Sequence, residues 1–157
     1  MHIVNERRFA CPPGEAFTRA ARVDRWPALL PHYRWVRFLA GGPEEGGVVE
    51  MAARRAFGRL GWPVWWRSRM WVDPRRREVR YRHIAGVTRG MEVRWQIEPD
   101  GGGSQVRVLH AWDEGPRLAG PLAPAVGRGI ILPLFVHFIA DQTLFHLSRQ
   151  AAGEVAR

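Results

Sequence analysis

The sequence predicts an α+β domain in which a curved, seven-stranded antiparallel sheet wraps around a long C-terminal helix, with two short helices after the first strand. Three observations carry this. From Tyr33 to Trp112 the hydrophobic period is two, and turn residues recur at short intervals. The alternation leaves one apolar, aromatic face and one charged face, and a sheet with a dry face has to cover it. The only large element left for that cover is the segment from Leu118 to Val155.

The first strand fits Ile3 to Ala10. Pro12-Pro13-Gly14-Glu15 then breaks the strand and opens a helix to about Arg22, whose apolar residues Ala16, Phe17, Ala20 and Ala21 fall at helical spacing. Asp24 is placed as the N-cap of a second short helix over Arg25 to Leu30, closed by Pro31. Further strands fit Tyr33 to Leu39, Val48 to Phe57, Val64 to Val72, Glu78 to Ile84, Gly90 to Glu98 and Gln105 to Trp112. Gly41-Gly42-Pro43, Gly46-Gly47, Gly61 to Pro63, Asp73-Pro74, Gly86 and Asp100 to Gly103 are the turns that separate them. The C-terminal segment starts as a Pro- and Gly-rich loop or broken helix through Leu132, a candidate gate, and continues as a helix from Pro133 to about Ala152.

Alternation assigns the faces. Val64, Trp66, Ser68, Met70 and Val72 share the inward face while Arg67, Arg69 and Asp73 take the other. The neighbours repeat this: Val79, Tyr81 and His83 oppose Arg80 and Arg82; Met91, Val93, Trp95 and Ile97 oppose Glu92, Arg94 and Gln96; Val106, Val108, His110 and Trp112 oppose Arg107. Turning His137, Asp141 and Ser148 of the helix to solvent points Phe135, Ile139, Gln142 and His146 at the sheet. Trp65 and Trp71 break the inward parity, through either a bulge near Pro63 or an exposed patch.

Composition bounds the rest. The length of 157 residues suits one domain spanning the whole chain. A lone cysteine, Cys11, excludes an internal disulfide and, with charges where a signal peptide needs apolar residues, points to the cytoplasm. The apolar run Ile130 to Ala140 contains Pro133 and His137 and falls short of the ~20 residues that span a bilayer. All 24 basic residues are arginine, and the net charge is +9. That charge permits peripheral contact with an anionic membrane, whereas no nucleic-acid-binding module is visible. On the outer face Arg54, Arg67, Arg69, Arg80, Arg82, Arg94 and Arg107 form a basic band interleaved with Glu50, Glu78, Glu92 and Glu98.

The order of elements, together with the run Trp26-Pro27-Ala28-Leu29-Leu30-Pro31-His32-Tyr33 between the helical pair and the second strand, resembles the SRPBCC superfamily, also called START-like or helix-grip. Within it the run is similar to the polyketide cyclase/dehydrase and coenzyme Q-binding branch. That resemblance implies an internal cavity for a hydrophobic small molecule such as a lipid, an isoprenoid quinone or a polyketide. In the aromatase/cyclases of the branch, cavity arginines on two successive strands position the polyketide. Ungapped matching puts Met70 and His83 at those positions, Ser68, Trp66, Trp95 and Tyr33 at matching polar and aromatic ones, and His110 at a glutamine. The resemblance thus implies a cavity of similar shape with a different charge pattern.

The candidate ligand-binding set is Trp26, Tyr33, Trp66, Ser68, Met70, Tyr81, His83, Trp95, His110, Phe135, Ile139, Gln142 and His146. Trp66, Trp95 and Trp112 offer flat walls for a lipophile. His83 and His110 are the candidate acid and base should the protein be a cyclase/dehydrase-like lyase, because imidazole titrates near neutrality; the bland alternative is two buried neutral histidines that give the pocket its polarity. No cofactor is expected, since Gly41-Gly42 and Gly101 to Gly103 lack the strand and helix context of a nucleotide site. No metal is expected either, because His83, His110 and His146 share no ligand spacing and no carboxylate lies on their face.

Overall fold

The computed structural model describes residues 2–57, 60–113, 129, 131 and 135–155. Along the chain run β1 (His2–Phe9), α1 (Pro13–Ala21), a 3-10 turn (Val23–Arg25), α2 (Trp26–Leu29), β2 (Tyr33–Gly42), β3 (Gly46–Phe57), β4 (Leu60–Asp73), β5 (Glu78–Gly86), β6 (Glu92–Asp100), β7 (Gly103–Ala111) and α3 (Phe138–Val155). The strands form one antiparallel sheet of seven in the order β1-β7-β6-β5-β4-β3-β2. Strands β2 to β7 are therefore a meander, and β1 pairs with its last member. The short helices carry the chain from one edge strand to the other, α1 packing on β6 and β7 and α2 on β2.

Local chemistry sets the helix ends. Pro12, with extended backbone, is the N-cap of α1 and Pro13 fills the first turn, where its missing N–H costs nothing. Asp24 does not cap α2 as the sequence suggests. It lies in the 3-10 turn and binds Arg22 through two hydrogen bonds of 2.9 and 2.7 Å, an ion pair that competes successfully for its carboxylate. Arg25 holds the α2 N-cap without a side-chain bond.

Strand parity matches the alternation closely. Val64, Trp66, Ser68 and Met70, then Val79, Tyr81 and His83, then Val93, Trp95 and Ile97, then Val106, Val108 and His110 are buried, while Arg69, Arg80, Arg82, Arg94 and Arg107 are exposed. The expected strand ends shift by a few residues, most at β4, which begins at Leu60 because its first residues pair with β3 through Phe57. Trp65 and Trp71 lie on the outer face, 47% and 41% exposed, so the exposed-patch explanation holds for them. The band of arginines is partly neutralised: Glu50 joins Arg37 and Arg67, Glu78 joins Arg80 and Arg94, and Arg107 reaches Glu6 and Glu98. Among the described residues, Arg54, Arg69 and Arg82 make no ion pair.

Helix α3 covers the dry face with Ile139, Ala140, Leu144, Leu147 and Ala151 buried against it. Its phase differs from the expected one. His137 is exposed as expected, but Gln142 and His146 stand at the margin of the buried stripe rather than at its centre. Leu144, Leu147 and Ala151 are the side chains that lose most by meeting water, and they set the rotation. The described helix runs from Phe138 to Val155, preceded by residues 135–137 in a wider turn, and the expected start at Pro133 lies outside the described residues. The expected gate over residues 118–132 lies outside the described residues except for Gly129 and Ile131.

Between β4 and β5 the register shifts at Arg67/Ser68, and Gly86 ends β5 opposite Trp66 with φ +94°. A Cβ there would stand 2.5 Å from the Trp65 carbonyl oxygen. Gly86→Ala is therefore expected to destabilise the fold by ~1–3 kcal/mol, read as a lower urea midpoint. The control Gly14→Ala, in α1 with nothing within 4 Å of its new methyl group, should leave the midpoint unchanged or higher.

Candidate functional site

Between the sheet and α3 lies a cavity of about 80 Å³. Trp26 of α2, Tyr33 of β2, Trp66 of β4, Tyr81 and His83 of β5, Trp95 of β6, His110 of β7, and Phe135 and Ile139 at the helix line it. Ser68 and Met70 point inward but do not reach this wall; they lie fully buried lower on β4, opposite His83 and Tyr81. Gln142 and His146 do not line it either, for the reason of helix phase given above. Trp112 stands just past β7, fully buried, with its indole N–H donating to the Arg89 carbonyl at 3.0 Å, so it packs rather than walls the cavity.

Several lining residues escaped the sequence reading. Val93 and Val108 were on the inward parity but carry no distinguishing chemistry, and Met51 sits on a strand whose parity was not assigned. Thr143 and Ala140 follow once the helix is phased on Leu144 and Leu147. Thr88 comes from the β5–β6 turn, where nothing in the sequence marks it.

One wall is a run of rings. Trp26 meets Tyr33 edge-on at 5.1 Å and Trp95 at 5.6 Å; Tyr33 meets Trp66 at 6.1 Å; Trp66 stacks on His83 at 6.0 Å and 18°. Such pairs each contribute ~0.5–1.5 kcal/mol beyond area burial, and they fix the wall's shape. The Trp26 indole donates to the Arg19 carbonyl at 3.0 Å, which ties α2 to the end of α1.

The polar groups of the cavity are neutral. Among the described residues no Asp, Glu, Lys or Arg lines it. His83 Nδ1 bonds the Thr88 hydroxyl at 2.7 Å. Thr143 donates to the Ile139 carbonyl at 2.7 Å, so the 2.9 Å contact to His32 Nε2 has the imidazole N–H as donor. By contrast, the Tyr81 hydroxyl and His110 Nδ1 are buried and, among the described residues, have no hydrogen-bond partner. An unsatisfied buried polar group costs ~1–3 kcal/mol, so these two atoms are where a ligand's polar group or a water gains most.

Burial governs the protonation of this cluster. It pushes His83 down to about 3, with His110 adding repulsion, and His110 down to about 4, with His137 adding to it. His32 falls to about 4 through burial and the neighbouring His146. Burial raises both Tyr33 and Tyr81. The imidazoles and phenols are thus all uncharged at neutral pH. Among the described residues no three metal-ligating side chains converge, and no helix is long and apolar enough to cross a membrane.

An unfolded histidine titrates near ~6.5, so between that pH and about 4 the unfolded chain takes up protons that folded His32, His83 and His110 refuse. Stability is fully present above the unfolded value and falls as the pH drops through this window, by up to ~1.4 kcal/mol per pH unit for each histidine. Urea midpoints should fall from pH 6.5 to pH 4.5, and His83→Gln should shallow the slope. A flat profile in the unsubstituted protein would contradict the burial of these imidazoles.

The profile of a family described as "Polyketide cyclase / dehydrase and lipid transport" matches residues 1–134. No curated protein matches the sequence. Among solved structures, the Zhui aromatase/cyclase from a Streptomyces species superposes with a TM-score of 0.75 at 20% identity, over 99% of this chain and 95% of that one. A START superfamily protein from Mycobacterium smegmatis gives 0.64 at 16% identity, over 99% and 97%. The di-domain ARO/CYC protein BexL gives 0.69 at 22% identity, over 95% of this chain and 45% of that one. At these identities the likeness is one of fold, the helix-grip.

Proposed function

The chain belongs to the polyketide cyclase/dehydrase and lipid transport family, and from that premise we propose that it binds a neutral, mainly apolar small molecule between the sheet and α3. The observation that carries this reading is the composition of the cavity wall among the described residues: mostly aromatic and aliphatic side chains, no Asp, Glu, Lys or Arg, and two buried polar atoms, Tyr81 Oη and His110 Nδ1, without partners. Apolar area removed from water at about 25 cal/mol per Å² supplies the affinity, and the two polar atoms orient the ligand. A carboxylate or phosphate is disfavoured because no described residue of the wall neutralises it.

The same chemistry weighs against proton-transfer catalysis of the cyclase/dehydrase kind. A base whose conjugate acid titrates at about 3 or 4 takes up a proton weakly at neutral pH. Among the described residues no arginine lines the cavity to hold an enolate or a poly-β-ketone in place. Binding without turnover is the function these residues support best.

Calorimetry with 1-octanol and octanoate at pH 7 tests the reading. The alcohol is expected to bind at least tenfold more tightly than the anion, and Trp95→Ala should weaken the alcohol by ~1–3 kcal/mol through lost ring area. Equal binding of both probes, or unchanged affinity in a folded Trp95→Ala variant, would remove the cavity from the explanation.

A further inference from the structure

Cavity and surface meet at two side chains. Val64 and Phe135 line the internal cavity and also an open groove of about 300 Å³ outside it. Trp62, Pro63, Trp65, Val87 and Ile131 complete the groove, and among the described residues no charged side chain lines it. Trp62 is 60% exposed, Trp65 47% and Val87 43%. Large apolar side chains held together in water mark a binding surface.

Size decides what the groove is for. The internal cavity, about 80 Å³, is smaller than the ~150 Å³ cavity that admits benzene, whereas small-molecule sites span about 300–1,000 Å³. The inner space takes a head of a few heavy atoms. The inner and outer spaces together reach the ordinary range, and the half-buried ring of Phe135 stands between them.

Building on the proposed reading of the cavity, we propose that the ligand is a neutral amphiphile whose small hydroxyl or carbonyl head occupies the cavity and whose extended apolar tail passes Phe135 into the groove beneath Trp62 and Trp65. A hydroxyl head accepts from the Tyr81 hydroxyl and donates to His110 Nδ1, the two cavity atoms left without partners. Two observations choose a tail over the other occupants of such a groove. The groove shares its wall with the cavity, so a chain leaving the cavity enters it directly. Among the described residues its lining also has no cationic side chain of the kind that would hold an anionic bilayer or an acidic partner.

Titration calorimetry with 1-hexanol, 1-octanol and 1-decanol, on the full chain and on a Trp62→Ala/Trp65→Ala double variant, separates the possibilities. Both tryptophans are exposed, so the variant should fold. In the unsubstituted protein affinity should rise about fourfold per added methylene. In the double variant that rise should vanish, with 1-hexanol still bound within twofold. Binding of all three alcohols without dependence on tail length overturns this inference and leaves the cavity reading in place. If none of the alcohols binds, the cavity reading falls and the inference falls with it. Two further results would also overturn the inference: phosphatidylcholine vesicles retaining the protein through Trp62 and Trp65, or a concentration-dependent dimer lost in the double variant, each without tail-length dependence.

Discussion

Charged and apolar side chains alternate so regularly along β4 to β7 that the sheet has one face that cannot be left in water, and the burial of that face under α3 is the constraint from which the remaining structure follows. Every second residue from Val64 to Met70 and from Val79 to His83 is buried, and the arginines between them are exposed or half-exposed. A slip of one residue in any strand would exchange the two sets and bury several guanidinium groups. The register is thereby fixed by the side chains themselves. Ion pairs on the outer face reinforce it, since Glu50 is only 9% exposed and holds Arg37 and Arg67 at 3.1 and 2.8 Å across three strands. Those arginines hold the Glu50 carboxyl below the usual range, Arg67 foremost.

A single helix cannot fill the hollow of a sheet curved around it, and what it leaves is the cavity. The chain fills part of the remainder with rings: Trp26, Tyr33, Trp66 and Trp95 interlock from α2 across to β6. It gives the cavity polarity without charge, by burying imidazoles and phenols whose ionised forms are penalised there. Burial keeps His83 and His110, the candidate acid and base of the sequence, uncharged in this setting.

The fold was legible because period-two alternation is a direct record of burial, and it survives wherever both faces have different neighbours. Tyr81, His83, Trp95 and His110 could be placed from parity alone, and the structure brings them to one wall. Three kinds of information were not in that record. Depth along a strand is one: Ser68 and Met70 share the parity of Trp66 but lie beyond the cavity. Helix phase is another, since choosing it by polar residues favoured Gln142 and His146, while Leu144 and Leu147 actually set it. The third is turn geometry, which brings Thr88 back onto His83 at 2.7 Å through a turn that no periodicity describes. Asp24 failed as a cap for a related reason, because a local ion pair outweighed a generic preference.

Volume adds what neither parity nor family membership supplies. An aromatic wall at even spacing suggests a roomy pocket, yet rings as large as these consume the space they border, and about 80 Å³ is left. The tryptophans off the inward parity then take on a different meaning. Trp65 is outside because it must be, one residue from the inward Trp66, while Trp62 shares the parity of Trp66 but is 60% exposed near the start of β4. Two adjacent positions on one strand thus put an indole on each side of the same wall, with Val64 of that strand facing both the cavity and the groove. A strand is the one element that does this without a loop, since successive side chains point to opposite faces. The start of β4 is therefore both a lining of the interior and a surface for what extends out of it.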